Sequence, residues 1–109
     1  MSKKILKLSI EPSKVIEVLK GHNFSDLVHE EFHQLENEKY IGTLIYEKFF
    51  YKVERKVSVI IIVDNLKDFT EIRIISTGTS QGLIFDFDWG ASGNVIEYVS
   101  GVLKEYIIE

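Results

Sequence analysis

Three apolar, β-prone runs crowd into residues 57–89: residues 57–63, 72–76 and 83–89. An amphipathic segment follows at once. Runs this short, rich in β-branched and aromatic residues and separated by turn residues, read as strands. Connections this short join only antiparallel neighbours. The chain is therefore expected to be an α+β protein built on an antiparallel sheet.

The 109 residues suit one domain, taken as residues 1–109. Apolar residues make up 45% of the chain, enough for a real core, and 28% are charged. The formal net charge of −4 argues against general nucleic-acid binding, which needs a positive surface to displace counterions. With no cysteine, disulfides, thiolate metal sites and cysteine nucleophiles are excluded. The longest apolar runs fall far short of the ~20 residues that span a bilayer. Residues 5–10 alternate rather than forming a signal-peptide core, so a cytoplasmic location is expected.

Along the chain, residues 3–10 alternate as a strand. Glu11-Pro12 then opens a helix: proline suits a first helical turn, where its missing N–H is no loss, and Glu11 sits at the positive end of the dipole. Val15, Ile16 and Leu19 recur at helical spacing, and Gly21 is the expected stop. Residues 25–35 fit two periods. As a helix, Phe24, Leu27, Val28, Phe32 and Leu35 form one stripe. As a strand, His29, Glu31 and His33 share a face and Glu30 points away. Periodicity alone slightly favours the helix.

Residues 36–38 read as a turn and residues 40–53 as a long strand. Val57, Val59, Ile61 and Val63 line one face of the next strand, residues 64–68 close a hairpin, and Ile72 and Ile74 continue the buried face. Leu83, Phe85 and Phe87 are expected to return on that face. Asn94 is a candidate helix cap, and Val95, Ile96, Val99, Val102, Leu103 and Tyr106 make an amphipathic stripe. The expected order is β-α-β(4–5)-α with both helices on one face, similar to helix-grip and TATA-binding-protein-like folds. That analogy carries no function.

The other face of the sheet should be polar if it met only water. Instead Ile60, Ile62, Ile75 and Ile84 fall among Lys56, Ser58, Glu71 and Arg73. Such a patch marks a contact. Three occupants fit: an end segment or long loop of the chain, a second copy in a homodimer, or an apolar small molecule in a cavity. A separate alternative is a small apolar-ligand carrier, with a pocket between the sheet and the C-terminal helix lined by residues such as Phe85, Phe87 and Val99. With Trp89, these isoleucines form the candidate partner surface.

His29-Glu30-Glu31-Phe32-His33 matches H-E-x-x-H. On a helix, two histidines four apart can bind one zinc while the glutamate activates its water. Here a charged Glu31 interrupts the motif and Glu36 stands where an extended motif has glycine. A third ligand would have to come from Glu36, Glu38, Glu47 or Glu54. A metal-dependent hydrolase using His29, Glu30 and His33 is thus the enzymatic alternative. A solvated charged face is the simpler reading, and no cofactor is expected.

Asp86 and Asp88 project to one side of their strand, which suits a hard cation or an acid/base pair, or simply a charged strand edge. The loop with Gly78, Thr79, Ser80 and Gly82 could offer N–H groups to an anion, although it lacks the G-K-[ST] of a phosphate loop. Trp89 more simply anchors packing. No G-x-S-x-G elbow is present.

The runs Tyr46-Glu47-Lys48-Phe49-Phe50, Val57-Ser58-Val59, residues 75–82 and Phe85-Asp86-Phe87-Asp88-Trp89-Gly90-Ala91 resemble a family of small bacterial proteins, mainly from Firmicutes, classed as a domain of unknown function. The resemblance implies an alternating strand over residues 26–34. It implies no activity, cofactor or catalytic residue. The expected function is a non-enzymatic binding module that dimerises or takes a partner through the sheet face.

Overall fold

The computed structural model describes residues 2–22, 26–50, 54–77 and 95–109. Five strands form one sheet: β1 (Ser2–Leu8), β2 (Asp26–Gln34), β3 (Tyr40–Phe50), β4 (Arg55–Asp64) and β5 (Thr70–Thr77). Their spatial order is β1-β5-β4-β3-β2, and every pair is antiparallel. Helix α1 (Pro12–Lys20) lies between β1 and β2 in sequence, and α2 (Val95–Val102) follows β5. The protein is thus α+β with an antiparallel sheet.

Alternation in the sequence becomes alternation in burial. Val57, Val59, Ile61 and Val63 of β4 are fully buried, as are Ile72 and Ile74 of β5, while their neighbours are half-exposed. Both helices cover this face. Helix α1 lays Val15, Ile16 and Leu19 over β3 and β4, and α2 lays Val95, Ile96 and Val99 over β5 and β1. Burying each such side chain contributes about 1.5–3 kcal/mol. The buried Ser100 hydroxyl donates back to the Ile96 carbonyl at 2.8 Å, so α2 carries it without an unmet polar group.

Pro12 is the first residue of α1 and Gly21 ends it, as expected. Gly21 has φ −72° and ψ −12°, however, so the helix stops without using glycine's left-handed freedom. The C-terminal stripe is shorter than its spacing suggested. The α-helix ends at Val102, and Lys104–Tyr106 is a tighter 3-10 turn. That turn swings the last residues against β1: Ile108 donates to the Lys7 carbonyl, and Lys7 donates to the Glu109 carbonyl, both at 2.7 Å. The chain end therefore covers part of the outer edge of β1.

Residues 26–34 are a strand, not the helix that periodicity alone favoured. The reason is tertiary. Phe32 lies opposite Gly42 of β3, and a Cβ at Gly42 would stand 3.0 Å from both Phe32 Cδ1 and Ile16 Cδ1. Glycine thus admits α1 and the Phe32 ring side by side, and Phe32 stacks on Tyr40 with centroids 5.7 Å apart. The turn after β2 places Asn37 and Glu38 at φ 60° and 58°, a left-handed pair that asparagine tolerates well. Asn65 ties this turn to the β4–β5 hairpin. Its Oδ1 accepts from the Tyr40 N–H at 2.8 Å and its Nδ2 donates to the Glu38 carbonyl at 3.1 Å. Lys39 and Asp68 add an ion pair between the same two turns, which holds the Asp68 carboxyl below its ordinary pKa.

No helix among the described residues is long and apolar enough to cross a membrane.

Candidate functional site

The sheet register assembles the face that the helices leave open. Across it runs one row, His29, Ile45, Ile60, Ile75 and Lys3, from β2 to β1. The next row is Glu31, Thr43, Ile62, Arg73 and Ile5. Ile45, Ile60, Ile62 and Ile75 are half-buried, and Ile5 is 49% exposed. Ile60, Ile62 and Ile75, named from sequence, are thus neighbours on β4 and β5, and Ile45 of β3, which sequence reasoning missed, joins them. The centre of the open face is apolar, Lys3 and Lys7 flank it on β1, and His29, Glu31 and His33 flank it on β2.

One end of this face is polar and tightly built. Asp64, 3% exposed, accepts from Arg73 Nη2 at 2.8 Å. Its other oxygen accepts from the Leu66 N–H at 3.1 Å and so opens the β4–β5 turn. Arg73 Nε lies 3.9 Å from Glu71. Sequence periodicity gave no sign of this cluster, because Asp64 reads there as a hairpin residue.

The H-E-x-x-H segment takes the strand geometry. Histidines four apart along a strand have Cα atoms about 13 Å apart. They do not form the one-turn pair of a zinc-peptidase helix. The Glu31 carboxylate sits between them instead, accepting from His29 Nε2 at 2.6 Å and His33 Nε2 at 2.9 Å. These bonds, His29 first, hold the Glu31 carboxyl below its ordinary pKa. Glu30 points to the helix side and pairs with Lys20 at 2.5 Å. The suggested third ligands are dispersed. Glu36 and Glu38 lie in the turn after β2, whereas Glu47 pairs with Lys56 at 3.6 Å and Glu54 occupies the β3–β4 turn at the far end. Among the described residues, no three His, Asp or Glu side chains are grouped to hold a metal ion. Tyr46 is no better as a base: burial and then the charge of Glu30 raise its hydroxyl pKa, so it stays protonated.

The depressed Glu31 pKa makes a testable statement. A carboxyl whose folded pKa is lowered contributes stability above its unfolded pKa and loses it as pH falls through the folded value. Wild-type melting temperature should therefore fall more steeply than that of Glu31→Gln between about pH 5 and pH 3. Parallel curves would show that the two imidazoles do not hold this carboxylate in solution.

Ile84, Trp89, Asp86, Asp88, the Gly78, Thr79, Ser80 and Gly82 loop, the expected strand with Phe85 and Phe87, and the Asn94 cap lie outside the described residues. Val99, proposed as a pocket wall, is fully buried in the core.

No curated protein and no solved structure matches the chain. A match to a protein family does exist, and it runs over residues 1–107, which takes in every strand and α-helix among the described residues. The chain belongs to DUF6054, a family of unknown function.

Proposed function

We propose that this protein is a non-enzymatic binding module whose open sheet face is its contact surface for a protein partner. One observation carries the reading: Ile45, Ile60 and Ile75 stand in register across three central strands, on the side away from both helices. Contiguous apolar surface of this kind is usually a contact site. The charged rim of Lys3, Lys7 and Glu31 gives the patch polar margins, the usual anatomy of an interface. We also read the arrangement of sheet and helices as helix-grip or TATA-binding-protein-like.

The double variant Ile60→Glu/Ile75→Glu tests the reading. If the face is open, the variant stays folded and loses no more than about 2 kcal/mol, the scale of strand propensity at two surface sites. The wild type is expected to bind an apolar fluorescent dye, and the variant to lose that binding. A loss above about 4 kcal/mol would mean that the chain covers this face itself, and the proposal would fall.

A further inference from the structure

We infer that β2 pairs with β2 of a second copy, edge to edge and centred on Phe32, joining two sheets into one continuous antiparallel sheet. The two outer edges of the sheet are treated differently. Residues 107–109 cover part of β1, and three lysines lie along it: Lys3, Lys4 paired with Glu97, and Lys7 over the Phe69 ring. Strand β2 has nine residues, every one of them exposed, and no described strand lies on its outer side. It carries no lysine and no proline, two residues that commonly keep strand edges from pairing. Its glutamates could serve that role, but Glu30 is engaged by Lys20 and Glu31 by His29 and His33.

The backbone direction follows from the ladder. Leu35 donates to the Lys39 carbonyl, on the β3 side. Alternate residues of a strand turn their N–H and C=O groups to opposite sides. Glu30, Phe32 and Gln34 therefore aim theirs outward. The donation from Asn65 N–H to the Tyr40 carbonyl agrees, since it places the groups of Tyr40 on the side of β4.

Side chains select the register. Centring a two-fold pair on Glu31 or Glu30 sets a carboxylate opposite its own copy, which is unfavourable. Centring it on Phe32 sets Glu31 opposite the partner's His33 and Glu30 opposite the partner's Gln34. Phe32, 42% exposed, then meets the partner's Phe32 on the helix side, where it already stacks on Tyr40. A carboxylate facing an imidazole donor, and an aromatic pair at facing positions, stabilise an antiparallel contact.

Sedimentation velocity of the full chain, with amide hydrogen exchange, tests this. The wild type is expected to dimerise, and the amides of Glu30, Phe32 and Gln34 to gain protection as concentration rises. Glu30→Pro removes an outward N–H together with the exposed Lys20 ion pair but no N–H that faces β3, so the bonds from β2 to β3 survive while dimerisation weakens at least about tenfold; Glu30→Gln, which loses the charge and keeps the N–H, should leave the dimer intact. His33→Glu sets two carboxylates face to face and should likewise weaken the dimer; Glu31→His/His33→Glu swaps the pair and should restore it. A wild type that stays monomeric overturns the inference. So does a dimer indifferent to Glu30→Pro, or a charge swap that fails to rescue. Ile60→Glu/Ile75→Glu should leave the edge dimer intact, so this inference and the open-face reading can fail separately.

Discussion

Ile61→Ala should destabilise the protein by about 3–4 kcal/mol, a large share of the ~5–15 kcal/mol that holds a domain of this size together. Ile61 is fully buried at the middle of the sheet, paired with Leu44 on one side and Ile74 on the other. The residues around it belong to a single core that includes Val15 and Leu19 of α1. Removing its three outer carbons loses their transfer energy and leaves a cavity that β-strands, fixed by their ladders, close only in part. Urea denaturation reads the effect as a lower midpoint at unchanged slope. Ile60→Ala, one residue away on the other face, should cost less than half as much. Equal losses at the two positions would mean that both faces are equally closed, against the two-faced sheet described above.

Asp64→Ala should cost about 2–3 kcal/mol, and for a different reason. The carboxylate is buried and holds two groups at once, the Arg73 guanidinium and the Leu66 N–H. Truncation strands a guanidinium beside an apolar face and frees a turn. Removing one partner of a fully buried pair costs about 3–5 kcal/mol, but Arg73 is about one-third exposed, so water offsets part of that. Asp64→Asn keeps the acceptor for Leu66 and loses the charge. It should fall between wild type and Asp64→Ala in the same denaturation experiment. If Asn and Ala cost the same, the turn contact contributes nothing and the ion pair carries the whole effect.

The histidine-rich segment illustrates how far local pattern reaches. Residues 25–35 satisfy a helical stripe and a strand alternation together, and their period leans slightly to the helix they do not form. The strand is chosen by what lies across from it: a glycine at position 42 that admits Phe32, and an asparagine at position 65 that ties the following turn to the neighbouring hairpin. With that choice, His29 and His33 become lateral partners of Glu31 rather than a one-turn metal pair. The open face was more legible. Ile60, Ile62 and Ile75 alternate with the core residues of their strands, so once the core face is known the opposite face follows from the two-residue period. The Asp64–Arg73 pair was not legible, because its partners are nine residues apart and meet only through the hairpin register.

By itself, then, the sequence determined the strand alternation of β4 and β5, the start of α1 at Pro12, the antiparallel class of the sheet, and the apolar character of its second face. These follow from short-range rules: side-chain period, fixed proline geometry and turn length. That β2 is a strand followed from the family resemblance and from the tertiary structure, not from its own period. Only the tertiary structure set the order β1-β5-β4-β3-β2, placed the C-terminal cover on β1 and left the outer side of β2 without a described strand beside it. Those features depend on which distant segments pair, and pairing is settled by the packing of the whole chain rather than by the periodicity of any one stretch.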